Sequence, residues 1–181
     1  MLTLHGALLS SVMILALVGP PARADFVQQE QFGQGYTIPM AWGDADGDGD
    51  LDLAVGNFQQ ENALFRGDGT GQFVGEPQFG AGATFAIVWG DLDNDGDADA
   101  AVGQGYGQAN LLFVNQSDGT FVEQTAFGLG RTIALAWGDY DRDGDLDLAV
   151  GNGILGTAEA NLLFVNQGDG TFAGEEQFGG G

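Results

Sequence analysis

From residue 25 onward the chain alternates short apolar runs with turns rich in glycine and aspartate. Ile133-Ala-Leu-Ala-Trp137 is an almost unbroken apolar run, the pattern of a strand buried on both faces. Leu146-Asp-Leu-Ala-Val150 is β-rich and ends in Gly-Asn, which predicts a second strand closed by a turn. Asn161-Leu-Leu-Phe-Val165 predicts a third strand, and a Gly-Asp-Gly-Thr hairpin leads to a fourth at Phe172. This four-strand unit recurs. Trp42, Trp89 and Trp137 stand 47 and 48 residues apart, and Asn-x-Leu-Phe begins at Asn62, Asn110 and Asn161. Phe-x5-Phe-Gly appears at Phe26/Phe32, Phe73/Phe79, Phe121/Phe127 and Phe172/Phe178.

Four short strands in a unit of this length predict an all-β fold built from β-propeller blades of four antiparallel strands; the coils of a β-solenoid, the alternative, are usually shorter. The expected units cover about 34–79, 80–127 and 128–178, with the start of a fourth at Phe178. Three units do not close a propeller of four to eight blades, so the sequence predicts either a homo-oligomer or further blades in a longer parent chain.

Between strands one and two each unit carries the same acidic loop: Asp44-Ala-Asp-Gly-Asp-Gly-Asp-Leu-Asp52, Asp91-Leu-Asp-Asn-Asp-Gly-Asp-Ala-Asp99 and Asp139-Tyr-Asp-Arg-Asp-Gly-Asp-Leu-Asp147. Carboxylates this dense repel unless a hard cation sits among them. Calcium accepts six to eight oxygens in a flexible shell, whereas magnesium demands strict octahedra, so about three Ca²⁺ ions are expected. Glycine at the sixth position allows the positive φ of a sharp turn. An EF-hand is excluded, because its twelfth-position Glu is replaced by Val55, Val102 and Val150. The shell must therefore close earlier, at Asp52, Asp99 and Asp147.

Composition narrows the partners. The net charge is −22, and the three loops hold 15 of the 26 acidic residues, five each. Lysine is absent, and beyond residue 24 only Arg66, Arg131 and Arg142 are basic, which argues against nucleic acid and against anionic membrane surfaces. With no cysteine, metal sites rather than disulfides must brace the fold. Residues 1–24 read as an export signal: an apolar core from Leu8 to Val18, then Pro20-Pro21, then Ala22-Arg-Ala24 as a small-x-small cleavage pattern. That core is too short to span a bilayer comfortably, and no membrane insertion is expected after cleavage. A secreted or cell-surface protein is the expectation.

Trp-Gly-Asp-x-Asp-x-Asp-Gly-Asp-x-Asp-Leu-Ala-Val-Gly-Asn, followed by Asn-Leu-Leu-Phe-Val-Asn-Gln-Gly-Asp-Gly-Thr-Phe, resembles the FG-GAP/VCBS repeat of integrin-α-like β-propellers. The resemblance covers essentially all of residues 26–181. It implies side-chain Ca²⁺ ligands at Asp44, Asp46, Asp48 and Asp52; at Asp91, Asp93, Asp95 and Asp99; and at Asp139, Asp141, Asp143 and Asp147. It implies main-chain carbonyl donors at Asp50, Asp97 and Asp145. Secreted proteins used for adhesion or ligand binding, or accessory propellers on larger proteins, are what the family implies. Unit one departs after strand three, where Phe65-Arg-Gly-Asp-Gly-Thr-Gly-Gln-Phe73 shifts the turn.

Catalysis is not expected. Beyond residue 24 there is no His, Cys or Lys and a single Ser, Ser117, so nucleophile–base pairs of the usual kinds cannot form. Arg66-Gly-Asp68 falls where the repeat already places a turn, and Asn115-Gln-Ser117 is a glycosylation sequon relevant only to a eukaryotic secretory pathway. The tryptophans are expected to pack between blades. Recognition is expected in the loops of varying length between strands two and three, at Phe58, Gln59, Tyr106, Gln108, Ile154, Leu155 and Glu159. The expected function is a calcium-binding module for an extracellular protein or glycan ligand. The alternatives are a lectin-like propeller and the accessory propeller of a larger secreted enzyme.

Overall fold

A computed structural model describes residues 32, 35–124, 127–154 and 157–178. The export segment 1–24, Phe26, Leu155 and the start of a fourth unit at 179–181 lie outside the described residues.

Twelve strands in antiparallel pairings make up the described fold: β1 (Thr37–Gly43), β2 (Asp52–Gly67), β3 (Phe73–Gly90), β4 (Asp99–Gln104), β5 (Ala109–Asn115), β6 (Phe121–Glu123), β7 (Phe127–Leu129), β8 (Thr132–Gly138), β9 (Asp147–Ile154), β10 (Thr157–Ala158), β11 (Asn161–Asn166) and β12 (Phe172–Phe178). No helix occurs among the described residues. In unit three β8 pairs with β9, β9 with β11, and β11 with β12, placing Trp137 opposite Leu148 and Leu163 opposite Ala149. Unit two repeats this order: the second half of β3 pairs with β4, β4 with β5, and β5 with β6 and β7. These are the predicted strands, within a residue or a few at each end.

Unit one differs. β2 runs 16 residues and β3 runs 18, so the expected turn after Gly56-Asn57 and the link from unit one to unit two both stay extended. The two segments support each other, with Phe58 opposite Ala83 and Glu61 opposite Ala81. Side chains hold the bend inside β2: the Asn57 amide N–H donates to Asn62 Oδ1 at 2.8 Å, and Asn57 Nδ2 donates to the Glu61 carbonyl at 2.8 Å. Asn110 and Asn161 accept from Gln104 and Asn152 in the same way, at 2.8 and 3.0 Å. The recurring Asn, buried in units one and two and half-buried in unit three, is thus a brace for the loop between strands two and three.

Most of the core lies between units, beside a smaller cluster of Leu53, Val55 and Phe65 within unit one. One cluster joins Ala86, Leu92, Leu112 and Phe127 of unit two to Leu135, Leu148, Val150 and Phe164 of unit three. Another joins Ala45, Ala54, Leu64 and Phe79 to Ile87, Ala100, Val102 and Phe113. Burial of strand one on both faces holds only for unit two, which has a neighbour on each side. β1 exposes Ile38, Met40 and Trp42, and β8 exposes Ile133, Ala134, Ala136 and Gly138.

Candidate metal centres and the opposite face

Each acidic loop is shaped by its own carboxylates. At the ninth position one oxygen accepts from the amide of the second residue: Ala45 to Asp52 at 2.8 Å, Leu92 to Asp99 at 2.7 Å, Tyr140 to Asp147 at 2.7 Å. The other oxygen accepts from the end of strand three: Gly67, Asn115 and Asn166, at 2.8, 2.8 and 2.9 Å. These buried aspartates therefore clamp the loop to its own sheet. Fifth-position carboxylates close two-residue turns, accepting from the amides of Asp50 (2.8 Å), Asp97 (3.0 Å) and Asp145 (3.0 Å). First-position Asp44 and Asp91 each accept from the sixth-position glycine at 3.0 Å. Those glycines, Gly49, Gly96 and Gly144, have φ of 92 to 101°, beyond the left-handed well that other residues tolerate.

The folded loops gather carboxylate oxygens within 4.8 Å of one another in three triads: Asp44, Asp46 and Asp48; Asp91, Asp93 and Asp99; Asp139, Asp141 and Asp147. Such groups can hold metal ions. Asp52, Asp95 and Asp143 lie outside the triads, as do the seventh-position residues Asp50, Asp97 and Asp145. The Asp50 and Asp145 carboxylates lie over the turns after strand three, 2.5 and 2.6 Å from where a Cβ on Gly69 or Gly168 would stand. Pointing there, they leave the triads to their neighbours.

Four triad oxygens show the fit to a cation. Oδ1 of Asp44, Asp46, Asp91 and Asp93 is buried with no hydrogen-bond donor among the described residues. An unpartnered buried carboxylate oxygen is costly, and a hard cation among these atoms would supply the missing partner. Burial also pushes the Asp99 carboxyl up to about 6, against the pull of its two amide donors. The Asp93 carboxyl is raised by burial and then by its neighbour Asp95, and that of Asp52 is raised chiefly by burial. Loop one has a further feature that the sequence did not suggest. Arg66 Nη1 lies 3.3 Å from Asp46 Oδ2, Arg66 Nε lies 3.0 Å from Glu76, and Arg66 Nη2 donates to the Gly119 carbonyl of unit two at 2.5 Å.

The opposite face carries aromatic rings. Tyr36, Phe58, Phe85 and Tyr106 form a chain of tilted and edge-on contacts with centroids 5.6–6.1 Å apart. With Ile38 they line an open cleft of about 370 Å³. Beside it Gln59, Tyr106 and Gln108 line a second hollow with Ala81, Gly82 and Ala83. The Arg131 guanidinium stands 6.0 Å from the Tyr106 ring centroid. Gln59 and Tyr106 both adopt positive φ, 56 and 57°. Phe58, Gln59, Tyr106 and Gln108 thus come together as expected from their loops. Glu159 joins them through Arg131, accepting from its amide at 2.9 Å and lying 3.9 Å from its Nε, and the Ile154 side chain lies outside what is described. Tyr36, Phe85 and Arg131 were missed; a signal was available, since each lies within one residue of a threonine, Thr37, Thr84 or Thr132, placed five before each tryptophan.

Fold and loops together define an all-β protein of propeller-type repeats. A model of the FG-GAP-like repeat matches residues 44–102 and 91–150, more than half of the chain, and the chain belongs to that family. No curated protein matches it. Among solved structures it is similar to a lectin of Agrocybe aegerita, whose structure describes recognition of non-reducing terminal N-acetylglucosamine. The TM-score is 0.52 at 21% identity, over 77% of this chain and 37% of the lectin's. The chain thus spans little more than a third of that protein's length.

Proposed function

We propose that this protein is an exported, non-catalytic recognition module whose acidic loops bind Ca²⁺ and whose aromatic face binds an extracellular ligand. The side chains at positions one, three, five and nine and the carbonyls of Asp50, Asp97 and Asp145 are the ligands proposed for the three ions. Bound Ca²⁺ would offset the repulsion within each triad and fix the loops against the strands. The observation that supports calcium is the set of donorless buried oxygens on Asp44, Asp46, Asp91 and Asp93.

The ligand class proposed for the opposite face is a glycan. Rings that stack on an apolar sugar face, flanked by the amides of Gln59 and Gln108, supply the mixed apolar and hydrogen-bonding chemistry that a sugar requires. The neighbouring lectin's specificity makes N-acetylglucosamine-terminated glycans the first to try. A glycan array probed with the Ca²⁺-loaded protein tests this, with Tyr106→Ala alongside. Binding that Tyr106→Ala reduces at least tenfold supports the reading. Binding of a protein ligand but of no glycan would assign the same face to adhesion instead.

A further inference from the structure

The acidic loops are tied to one another by residues that stand between the proposed metal ligands. Leu92 lies between Asp91 and Asp93, and Leu146 between Asp145 and Asp147. One amide, Asn166 Nδ2, donates to both of their carbonyls, at 2.7 and 3.1 Å, so a single side chain joins loop two to loop three. Asn115 Nδ2 joins loop one to loop two in the same way, through the Ala45 and Ala98 carbonyls at 2.8 and 3.2 Å. Both junctions share this tie.

The second junction adds a bond through the fourth position of the loop. Asn94, between Asp93 and Asp95, donates from Nδ2 to Asp145 Oδ1 of loop three at 2.5 Å. It stands at φ 61°, a left-handed conformation that asparagine tolerates better than most residues. Loop one has Gly47 at this position, at φ 72°, and so has no side chain there to make the bond. Arg66 acts at the first junction instead, joining Asp46 to the Gly119 carbonyl rather than to a second acidic loop. Asp145 holds the seventh position, whose main-chain carbonyl is a ligand proposed for the third ion, while its carboxylate lies over Gly168. The bond from Asn94 therefore fixes that seventh residue from outside its own loop.

We propose that loops two and three form a coupled metal pair, in which filling either loop raises the Ca²⁺ affinity of the other through the Asn94–Asp145 bond. The coupling rests on the calcium binding proposed for these loops and adds its regulation. A cation drawing on Asp93 and Asp95 fixes Asn94 between them, and Asn94 in turn fixes Asp145. The third ion then meets a loop already ordered at one of its ligands. Linkage makes the effect reciprocal, so the third ion favours the second by the same factor. Asn94 supplies no ligand to either ion and is a positioning residue.

Calorimetric Ca²⁺ titration of the full chain, begun from chelator-treated protein, tests the proposal. Two of the ions should bind with positive cooperativity, each raising the other's affinity roughly five- to tenfold, the lower part of the range for coupled sites. Asn94→Gly, which keeps the left-handed backbone that Gly47 adopts, should take up the same number of ions with that cooperativity lost. Asp139→Ala breaks the third triad; it should weaken the second ion by the same factor in the unaltered chain, and not at all beside Asn94→Gly. A merely structural role for Asn94 would lower melting in chelator and leave that effect of Asp139→Ala in place. Should Asn94→Gly lose its cooperative melt, Asn94→Asp, which swaps the donor for an acceptor, decides. Independent binding in the unaltered chain, or cooperativity that survives loss of the Asn94 donor, would overturn the proposal. Absence of any Ca²⁺ uptake would overturn the calcium binding itself, and the coupling with it.

Discussion

Asn166 Nδ2 donates a 2.7 Å hydrogen bond to the carbonyl of Leu92, joining strand three of unit three to the acidic loop of unit two. Both residues are buried, and Asn115 repeats the bond to Ala45 at 2.8 Å. Each of these loops is thus fixed from two sides. Its own ninth-position aspartate holds the amide of the second residue, and the next unit's asparagine holds that residue's carbonyl.

Removing that second hold should be costly. Asn115→Ala leaves the Ala45 carbonyl buried without its donor, which costs roughly 1–3 kcal/mol. We expect a lower denaturant midpoint with little change in m-value, read by chemical denaturation in Ca²⁺. Asn166→Ala should behave alike, since its amide also serves the Leu146 carbonyl at 3.1 Å. An unchanged midpoint in both variants would show that the inter-unit bond carries no stability.

Arg66 makes loop one unlike the other two. Its guanidinium sits 3.3 Å from Asp46 and occupies part of the charge that a cation would otherwise meet. Both side chains are about a quarter exposed, so screening limits the effect. Arg66→Met should tighten Ca²⁺ binding at one site by about two- to fivefold, the equivalent of a partly exposed pair at roughly 0.5–1 kcal/mol. It should also lower the melting temperature of the chelated protein, which loses the ion pair. Calorimetric Ca²⁺ titration beside melting in chelator reads both effects, and weaker binding in the variant would show that Arg66 helps to build the site.

The turns after strand three set a pH dependence of their own. Thr70, Thr120 and Thr171 donate from hydroxyl and amide to Asp68, Asp118 and Asp169, holding each carboxyl below its ordinary value. A depressed folded value means that the stabilisation is present above the unfolded value, near 3.9, and is lost as pH falls through the folded value. In metal-free protein, replacing all three aspartates with asparagine should therefore lower the melting temperature at pH 6 and flatten its fall below pH 4. An acid limb identical to that of the parent protein would refute a role for these turns.

The strand order, the acidic loops and the grouping of Phe58, Tyr106 and Gln108 were legible because each repeats at fixed spacing or sits in a loop of varying length. Other features were not, for physical reasons. The glycine after the strand-two valine reads as a turn former, yet Gly56 and Gly103 each receive the methyl of a threonine 28 or 29 residues further on, Gly56 with Pro39 beside it. Trp42 and Trp89 share the pattern Trp-Gly-Asp-x-Asp, and the neighbour on its open side distinguishes an exposed indole from a packed one. Arg66 replaces the valine seen at Val114 and Val165, and its reach to Asp46 and Gly119 depends on the twist between units. Local pattern encodes the unit; what touches across units emerges only when the units stack.

Calcium removal gives the broadest test. With the triads emptied, carboxylate oxygens within 4.8 Å of one another repel, with only Arg66 beside loop one to offset them, and the loops lose the bond between their two ends. A site filled at ten times its dissociation constant contributes roughly 1.4 kcal/mol by mass action, so three such sites contribute roughly 4 kcal/mol in all. Chelator should therefore lower the melting temperature by many degrees, and titration should return about three ions per chain. Asp143→Ala should remove or weaken the third ion and leave two. Asp93→Ala should remove the second and be more disruptive, because half-buried Asp93 shares its triad with buried Asp99 and its Cβ lies 3.5 Å from where a Cβ on Gly170 of unit three would stand. Melting curves that coincide in chelator and in millimolar Ca²⁺ would mean that the donorless oxygens of Asp44, Asp46, Asp91 and Asp93 are met by something other than calcium.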